Sequence, residues 1–459
     1  MRVLKKTGKI IGSEDNLKGV FMKKLIISLS FFCFASYGFD AQSDTLTLET
    51  SVHLAHKNRD DLHGYFYSEQ ANKQDERAAL AGYLPQFSIN GKFGKTAPEA
   101  LINVVTTAVL PQTLTDSTST KGVTVSVSQL LLSGGTPVFD YRIAKEGTKI
   151  INSQMETAHN NIRFSTEQAF LNLQQKMLEK QAVQAQYQAS QVTFEKNSSQ
   201  KLVGFLNQSE WLSSAASYAK AKSDAQNYQY DLETAQNNLE RETNTQVNIE
   251  QIDVSLQTTA NVDLKPVDYY LSAALNHRPE LRTQKHLIRQ SRLSEKRYRR
   301  SYVPTVSAFA QASDIKLGTG YRSASWTAGV DFSWSFDGLA SAHTARKYKH
   351  KELEYKLQKR DLELQIRNDV ENAHYQVHTT MNKLKAEVVS YEQAEQDLEL
   401  KKAQYTVGSL SRSELAQAEF AYKSAEFTLN SLKIGIRTTY QNLLYLSGYP
   451  KESDKSIRS

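Results

Sequence analysis

Two carboxylates stand at matching places in this 459-residue chain. Glu210 follows Val203-Gly204-Phe205-Leu206, and Glu414 follows Val407-Gly408-Ser409-Leu410, each with a serine just ahead of it (Ser209, Ser413). An acid so soon after a glycine turn falls in the first turn of the next helix, where the helix dipole favours negative charge. Other candidate chemistry is thin. The ten histidines are scattered, and the helical i, i+4 pair is His374 and His378, with Glu371 one turn earlier. Such a pair could hold a metal, but it is not H-E-x-x-H and no further ligand is suggested. It reads as a solvated helix face, so the expectation is no metal, no cofactor and no enzyme. The sequence has no Gly-rich phosphate loop and no nucleophile elbow, and Gly318-Thr319-Gly320 reads as a loop tip.

The recurrence extends beyond the carboxylates. Arg59-Asp60-Asp61-Leu62 and Gly82-Tyr83-Leu84-Pro85 return 219 residues later as Arg278-Pro279-Glu280-Leu281 and Ser301-Tyr302-Val303-Pro304. The glycine turns, with Tyr218 and Tyr422, and the pair Ser133-Gly134 and Asp337-Gly338, recur at an offset of 204. The difference of 15 residues therefore lies between Pro85 and Gly134. Self-similarity on this scale predicts a tandem duplication, with one repeat over 39–262 and the other over 263–450, followed by a polar tail over 451–459.

Residues 1–38 are expected to lie outside the fold. Met22-Lys23-Lys24, an apolar stretch from Leu25 to Phe34, and Ser36-Tyr37-Gly38 make a secretory signal peptide. Residues 1–21 read as an extension ahead of the start that is used. Cys33 falls within the apolar stretch behind Ser30-Phe31-Phe32, which does not suit lipid modification, so the mature chain should have no cysteine. The formal charge of +7 is also misleading, because residues 1–38 hold seven Lys/Arg and two acids. The remainder, near +2, gives no electrostatic case for nucleic acid. Beyond the signal no apolar run reaches the roughly 20 residues of a membrane helix. Entry into a membrane would have to be as a β-barrel.

Each repeat reads helix, strand, strand, helix, helix. Glu49 to Tyr83 and Val267 to Tyr302 look helical, interrupted near Arg59 and Arg278-Pro279 and ended by Pro85 and Pro304. Strands with one apolar and one polar face are expected at about 86–94, 122–132, 304–313 and 324–336. Their polar connections, 94–122 and 314–323, should be exposed loops, the first absorbing the length difference. A soluble sandwich would alternate in the same way. The length of about ten residues favours tilted outer-membrane strands. Four strands cannot close a wide barrel, so several protomers would have to lend strands to one. Leu339 to Val407 contains neither Gly nor Pro, and Thr148 to Val203 is its counterpart. Val370, Val377, Leu384, Tyr391 and Leu398 recur every seven residues, with Met381 and Val388 between them, as in a coiled-coil seam. The rest of that surface reads as polar. Return helices over 209–247 and 413–446 complete two long hairpins, each turning at a glycine suited to positive φ.

These blocks, in order and twice, resemble the TolC-like outer-membrane efflux proteins over essentially the whole mature chain. The resemblance implies a mainly α, α+β membrane protein. Three protomers of four strands would form a 12-stranded β-barrel in the outer membrane, continued by a long periplasmic α-helical barrel. It implies a passive duct, for efflux or type I secretion. Its partners would be a periplasmic adaptor (membrane fusion) protein, an inner-membrane transporter of RND, ABC or MFS type, and outer-membrane lipid. Drug, metal or protein cargo would be selected by the transporter. Adaptors would dock at the hairpin tips, here Val203, Gly204, Phe205, Leu206, Val407, Gly408, Ser409 and Leu410.

The family pattern also implies a gate at these tips. The acid six residues after the second glycine is present as Glu414, the one nine residues after it is replaced by Gln417, and the gate tyrosine is Tyr405. The gate arginine is replaced by Leu410, with Arg412 close enough to substitute, and Glu210 matches the first-half acid. Carboxylates converging on a narrow wet mouth favour cations, and the single remaining ring predicts weaker selectivity. The rival classes are a soluble periplasmic coiled-coil adaptor, expected to carry one hairpin rather than two, and a structural filament, which leaves the strands unexplained.

Overall fold

The computed structural model describes residues 45–96, 118–253, 262–318 and 321–449. The chain divides into Met1–Thr45 and Leu46–Ser459, and the description concerns the second unit. The expected signal peptide with Cys33, most of the first inter-strand loop, Thr319-Gly320 and the tail at 451–459 lie outside the described residues.

In chain order the elements are α1 (Leu48–Asn58), α2 (Asp60–Ala81), β1 (Gln86–Thr96), β2 (Thr118–Leu132), α3 (Thr136–Leu202) and α4 (Gln208–Thr243). The same order of types follows in α5 (Val267–His277), α6 (Pro279–Arg299), β3 (Thr305–Leu317), β4 (Tyr321–Ser333), α7 (Ala340–Thr406) and α8 (Arg412–Leu446). Helices α3 and α7 have 67 residues each, or about 100 Å at 1.5 Å per residue.

The R-x-x-L blocks are helix breaks. Arg59 and Arg278 each take one extended conformation (ψ 122° and 121°) between two helices. Each guanidinium then meets the acid two residues on, Asp61 or Glu280. Arg59 also reaches Glu242 of α4 at 2.6 Å. The leucines that close the blocks, Leu62 and Leu281, are buried. Proline helps at the second break by disfavouring helical backbone in the residue before it.

Among the described residues the two larger apolar clusters hold the helices together, and a small third one joins Ala55, Leu62 and Ile162. Of the larger two, one joins Leu48 of α1, Phe170, Leu171 and Leu173 of α3, Leu239 of α4 and Ile434 of α8. The other joins Tyr270 and Ala274 of α5, Leu281 of α6, Ile366, Val370 and Val377 of α7, and Leu443 and Leu444 of α8. The helical hairpins α3–α4 and α7–α8 pack side by side through α3 and α8.

Several boundaries move. Helix α3 starts at Thr136 rather than Thr148. Pro137 is compatible with the first turn, whose N–H groups have no helical partner anyway. Gly147 is carried inside the helix, where a Cβ would stand 3.2 Å from the Asn72 side chain. The expected loop at 314–323 is mostly strand, because the Arg322 guanidinium clamps Asp314 across the β3–β4 pair at 2.6 Å. Strand β4 ends at Ser333, short of Phe336. Trp334 instead donates its indole N–H to the Tyr302 carbonyl at 3.1 Å, and Asp337 accepts from the Ser341 N–H at 2.8 Å, which turns the chain into α7.

The heptad stripe is buried at Val370, Val377 and Leu398 and half-buried at Met381, Leu384 and Tyr391, but Val388 is exposed. Nor is the rest of α7 wholly polar. Leu353, Leu357, Leu364 and Tyr375 are exposed, and at 100° per residue all four fall on one face. His374 is buried rather than solvated. Its ring lies 6.1 Å from that of Tyr270, and its Nε2 meets the Lys265 carbonyl at 3.1 Å, while His378 is exposed. Among the described residues no group of three or more His, Cys, Asp or Glu is placed to hold a metal ion.

Candidate functional site: the hairpin tips and the sheet

Both tips are built by the same backbone device. The Gly204 N–H reaches the Lys201 carbonyl (3.1 Å) and the Phe205 N–H the Gln200 carbonyl (2.9 Å). At the second tip Gly408 reaches Tyr405 and Ser409 reaches Gln404, both at 3.0 Å. These are Schellman motifs, which need a left-handed residue at the turn. Gly204 and Gly408 supply it at φ 82° and 77°. Val203, Phe205 and Val407 are left exposed at 66%, 84% and 80%, whereas Leu206 and Leu410 turn half-buried toward the helices.

The return helices start differently. Asn207 caps α4 by accepting the Glu210 N–H at 2.8 Å, and the Glu210 side chain stays exposed. Ser411 caps α8 in a reciprocal box: Glu414 Oε2 accepts from the Ser411 N–H (2.9 Å) and its hydroxyl (2.6 Å). Those hydrogen bonds, aided by the charges of Lys196 and Lys401, hold the Glu414 carboxyl below its usual range. Glu414 is thus charged and committed to a cap, while Glu210 offers the freer carboxylate. Tyr405 and Arg412 are exposed, and Gln417 donates to Thr193 of α3 at 3.3 Å. Among the described residues no hydrogen bond or ion pair joins Tyr405, Arg412, Glu414 and Glu210 to one another.

Sequence reasoning missed the groups that brace these ends. Lys196 of α3 donates to Ser413 of α8 at 3.2 Å. In the first hairpin Phe194 stacks on Tyr218 at 5.3 Å, the Lys201 ammonium lies 3.6 Å from the Trp211 ring, and Tyr187 faces Tyr218. Tyr391 and Tyr422 make the corresponding hydroxyl contact at 3.0 Å in the second. The signal was available, since Tyr187 and Tyr391 share the offset of 204.

At the other end, β1-β2-β3-β4 form one antiparallel sheet, so β1 and β4 each keep an unpaired edge. Register puts Phe87, Ile89, Val123, Val125, Val127, Ala310, Ala312, Trp326 and Val330 on one face. The other face carries hydroxyl pairs, Ser88 with Ser126 at 2.6 Å and Ser313 with Ser325 at 2.9 Å. The apolar face is open, with Phe87, Ile89 and Trp326 all at least three-quarters exposed. No helix among the described residues is long and apolar enough to cross a membrane.

This fold is that of bacterial outer-membrane channels. The chain superposes on the Campylobacter jejuni CmeC outer membrane channel with a TM-score of 0.69 at 18% identity, covering 90% of this chain and 88% of that one. For the outer membrane protein VceC of Vibrio cholerae the score is 0.67 at 13% identity, covering 88% and 97%. For the open state of the Neisseria gonorrhoeae MtrE outer membrane channel it is 0.67 at 15%, covering 87% and 88%. No curated protein matches in sequence. Residues 270–449 match the family model described as outer membrane efflux protein. That match lies in the second half of the chain, and the fold is shared with those outer-membrane channels over most of its length.

Proposed function

We propose that the chain is one protomer of a trimeric exit duct, passing cargo delivered by an inner-membrane transporter of RND, ABC or MFS type through a periplasmic adaptor. The observation that carries this is the sheet: four strands, two faces of opposite character and an unpaired edge on each side. Exposed strand edges invite pairing with another chain, and β4 of one copy meeting β1 of the next would close three copies into a 12-stranded barrel. The open apolar face would then meet lipid and the hydroxyl face would line the lumen. The stripe Leu353, Leu357, Leu364 and Tyr375 on α7 supports the same reading, as a seam for a neighbouring copy in a helical barrel. The repeats at 39–262 and 263–450 would be the two units of that protomer. The exposed Val203, Phe205 and Val407 would form the adaptor-docking surface. Glu210 and Glu414 would ring the closed mouth, with Tyr405, Arg412 and Gln417 as its polar contacts.

Single-channel conductance in planar bilayers tests this, with two substitutions that separate charge from capping. Glutamine keeps an acceptor for Ser411, as a capping box permits. Glu414→Gln should therefore leave the helix start intact and lower the preference for cations. Glu414→Ala removes the charge and the cap together, the cap being worth about 1 kcal/mol, and should lower the preference equally while fraying the tip. If only the alanine variant changes the current, Glu414 is a cap and the ring assignment fails. A wild-type protein that never inserts would overturn the duct.

A further inference from the structure

The apolar face of the sheet ends in a row of positive charge. Lys121 of β2 stands directly opposite Lys316 of β3, which stands directly opposite Arg322 of β4, with Phe93 completing the row on β1. Lys95 lies one step further out on the same face. Like charges directly opposite each other across strands destabilise the pairing. Arg322 is offset by Asp314, and the Lys121 ammonium rests 5.1 Å from the Phe93 ring. Among the described residues no carboxylate lies within ion-pair range of Lys121 or Lys316, and both side chains are exposed. On the polar face the adjacent row is Lys92, Gly122, Ile315 and Ser323, with one cation. The charge is concentrated on the side that also carries the apolar surface.

We propose that this row binds the phosphate groups of anionic lipid headgroups in the outer leaflet. The assignment rests on the duct reading, in which this face meets lipid. Ten residues separate Lys316 from Val306, the last apolar position of that face on β3. At about 3.4 Å per residue and a tilt of roughly 40°, that spans about 25 Å, the height of the apolar band of an outer-membrane barrel. The row therefore falls where hydrocarbon gives way to headgroups. Lysine and arginine stems can lie along the apolar surface there while their charged ends reach the phosphates. A phosphorylated lipid relieves the repulsion between the two unpaired lysines and covers the apolar rows beneath them with the same molecule.

The test uses full-length protein in phosphatidylcholine vesicles doped with diphosphoryl lipid A, re-extracted in mild detergent. Bound lipid is counted by native mass spectrometry. Lys121→Gln, Lys316→Gln and the double variant are compared, with vesicle flotation and circular dichroism checking insertion and fold. Retained lipid should fall about fivefold for each lysine removed, and the wild type should retain enzymatically dephosphorylated lipid as poorly as the double variant does. Undiminished retention by a double variant that floats with the vesicles would overturn the proposal. Displacement of the lipid by inorganic phosphate would assign the row to a soluble anion instead. A wild-type protein that does not float would sink the duct reading, and this assignment with it.

Discussion

Glu352→Gln should lower the stability of the helical region by about 2 kcal/mol. Glu352 lies in α7 with 1% of its surface exposed. Its carboxylate meets Arg292 of α6 at 2.9 Å, Lys356 at 2.7 Å and Lys349 at 3.2 Å. Burial alone would raise its pKa, but the hydrogen bonds from Lys356, Arg292 and Lys349 outweigh that and hold it at about 2. The depressed value means that the stabilisation is present above the ordinary glutamate range near 4.5 and is lost as pH falls toward 2. Each pKa unit corresponds to about 1.4 kcal/mol, so the shift sets a ceiling of about 3 kcal/mol. Screening of the half-exposed cations trims that figure to about 2. Glutamine preserves the shape and leaves three cations facing a neutral amide. Unfolding midpoints measured from pH 7 down to pH 2.5 check this: the wild type should converge on the variant as the pH drops. A variant that matches wild type at pH 7 would show that the cluster is solvated and does not anchor α6 to α7.

How much of this was legible in the sequence differs by the kind of interaction. The two glycine turns were readable because a reversal between long helices needs positive φ, and Gly204 and Gly408 both adopt it. The breaks at Arg59 and Arg278 were readable for a related reason, as the recurring arginine and leucine mark one local geometry. The strand ends were not. Residues 314–317 and 321–323 are polar and read as loop, yet they pair, because Asp314 and Arg322 meet across the hairpin. A contact that depends on register cannot be seen before the register is known. The same holds for Lys121 beside Lys316, residues from different halves of the chain. Period-two reading also carried β4 too far, since Trp334 and Phe336 continue the alternation while folding over Tyr302. At the tips the sequence supplied both acids but not their difference, which arises because the α8 cap is Ser411, reciprocated by Glu414, and the α4 cap is Asn207.

Gly134→Ala should be the more damaging of two matched substitutions, by about 2–3 kcal/mol over Gly338→Ala. The two glycines occupy corresponding strand exits, and each has φ 62°. The backbone penalty for a side chain in that region, about 1–2 kcal/mol, is therefore common to both. Their surroundings are not. A Cβ on Gly134 would stand 2.6 Å from the Arg300 carbonyl oxygen and 3.0 Å from the Val303 Cβ, where the end of α6 packs against the exit from β2. The first of those neighbours is backbone and cannot step aside without moving the turn at Arg300–Tyr302. A Cβ on Gly338 would meet nothing within 4 Å. The following position supports the distinction: Gly135, at φ 78°, is matched by Leu339 at φ 73°. A leucine is thus already tolerated in left-handed backbone where the space is open. Thermal unfolding of the two alanine variants in detergent gives the comparison directly. Equal losses would mean that backbone conformation alone sets the cost and that the α6 contact yields freely. A much larger loss at Gly134 would identify that exit as the point where the first pair of strands is fixed to the second half's helices, which the open sheet edges alone do not provide.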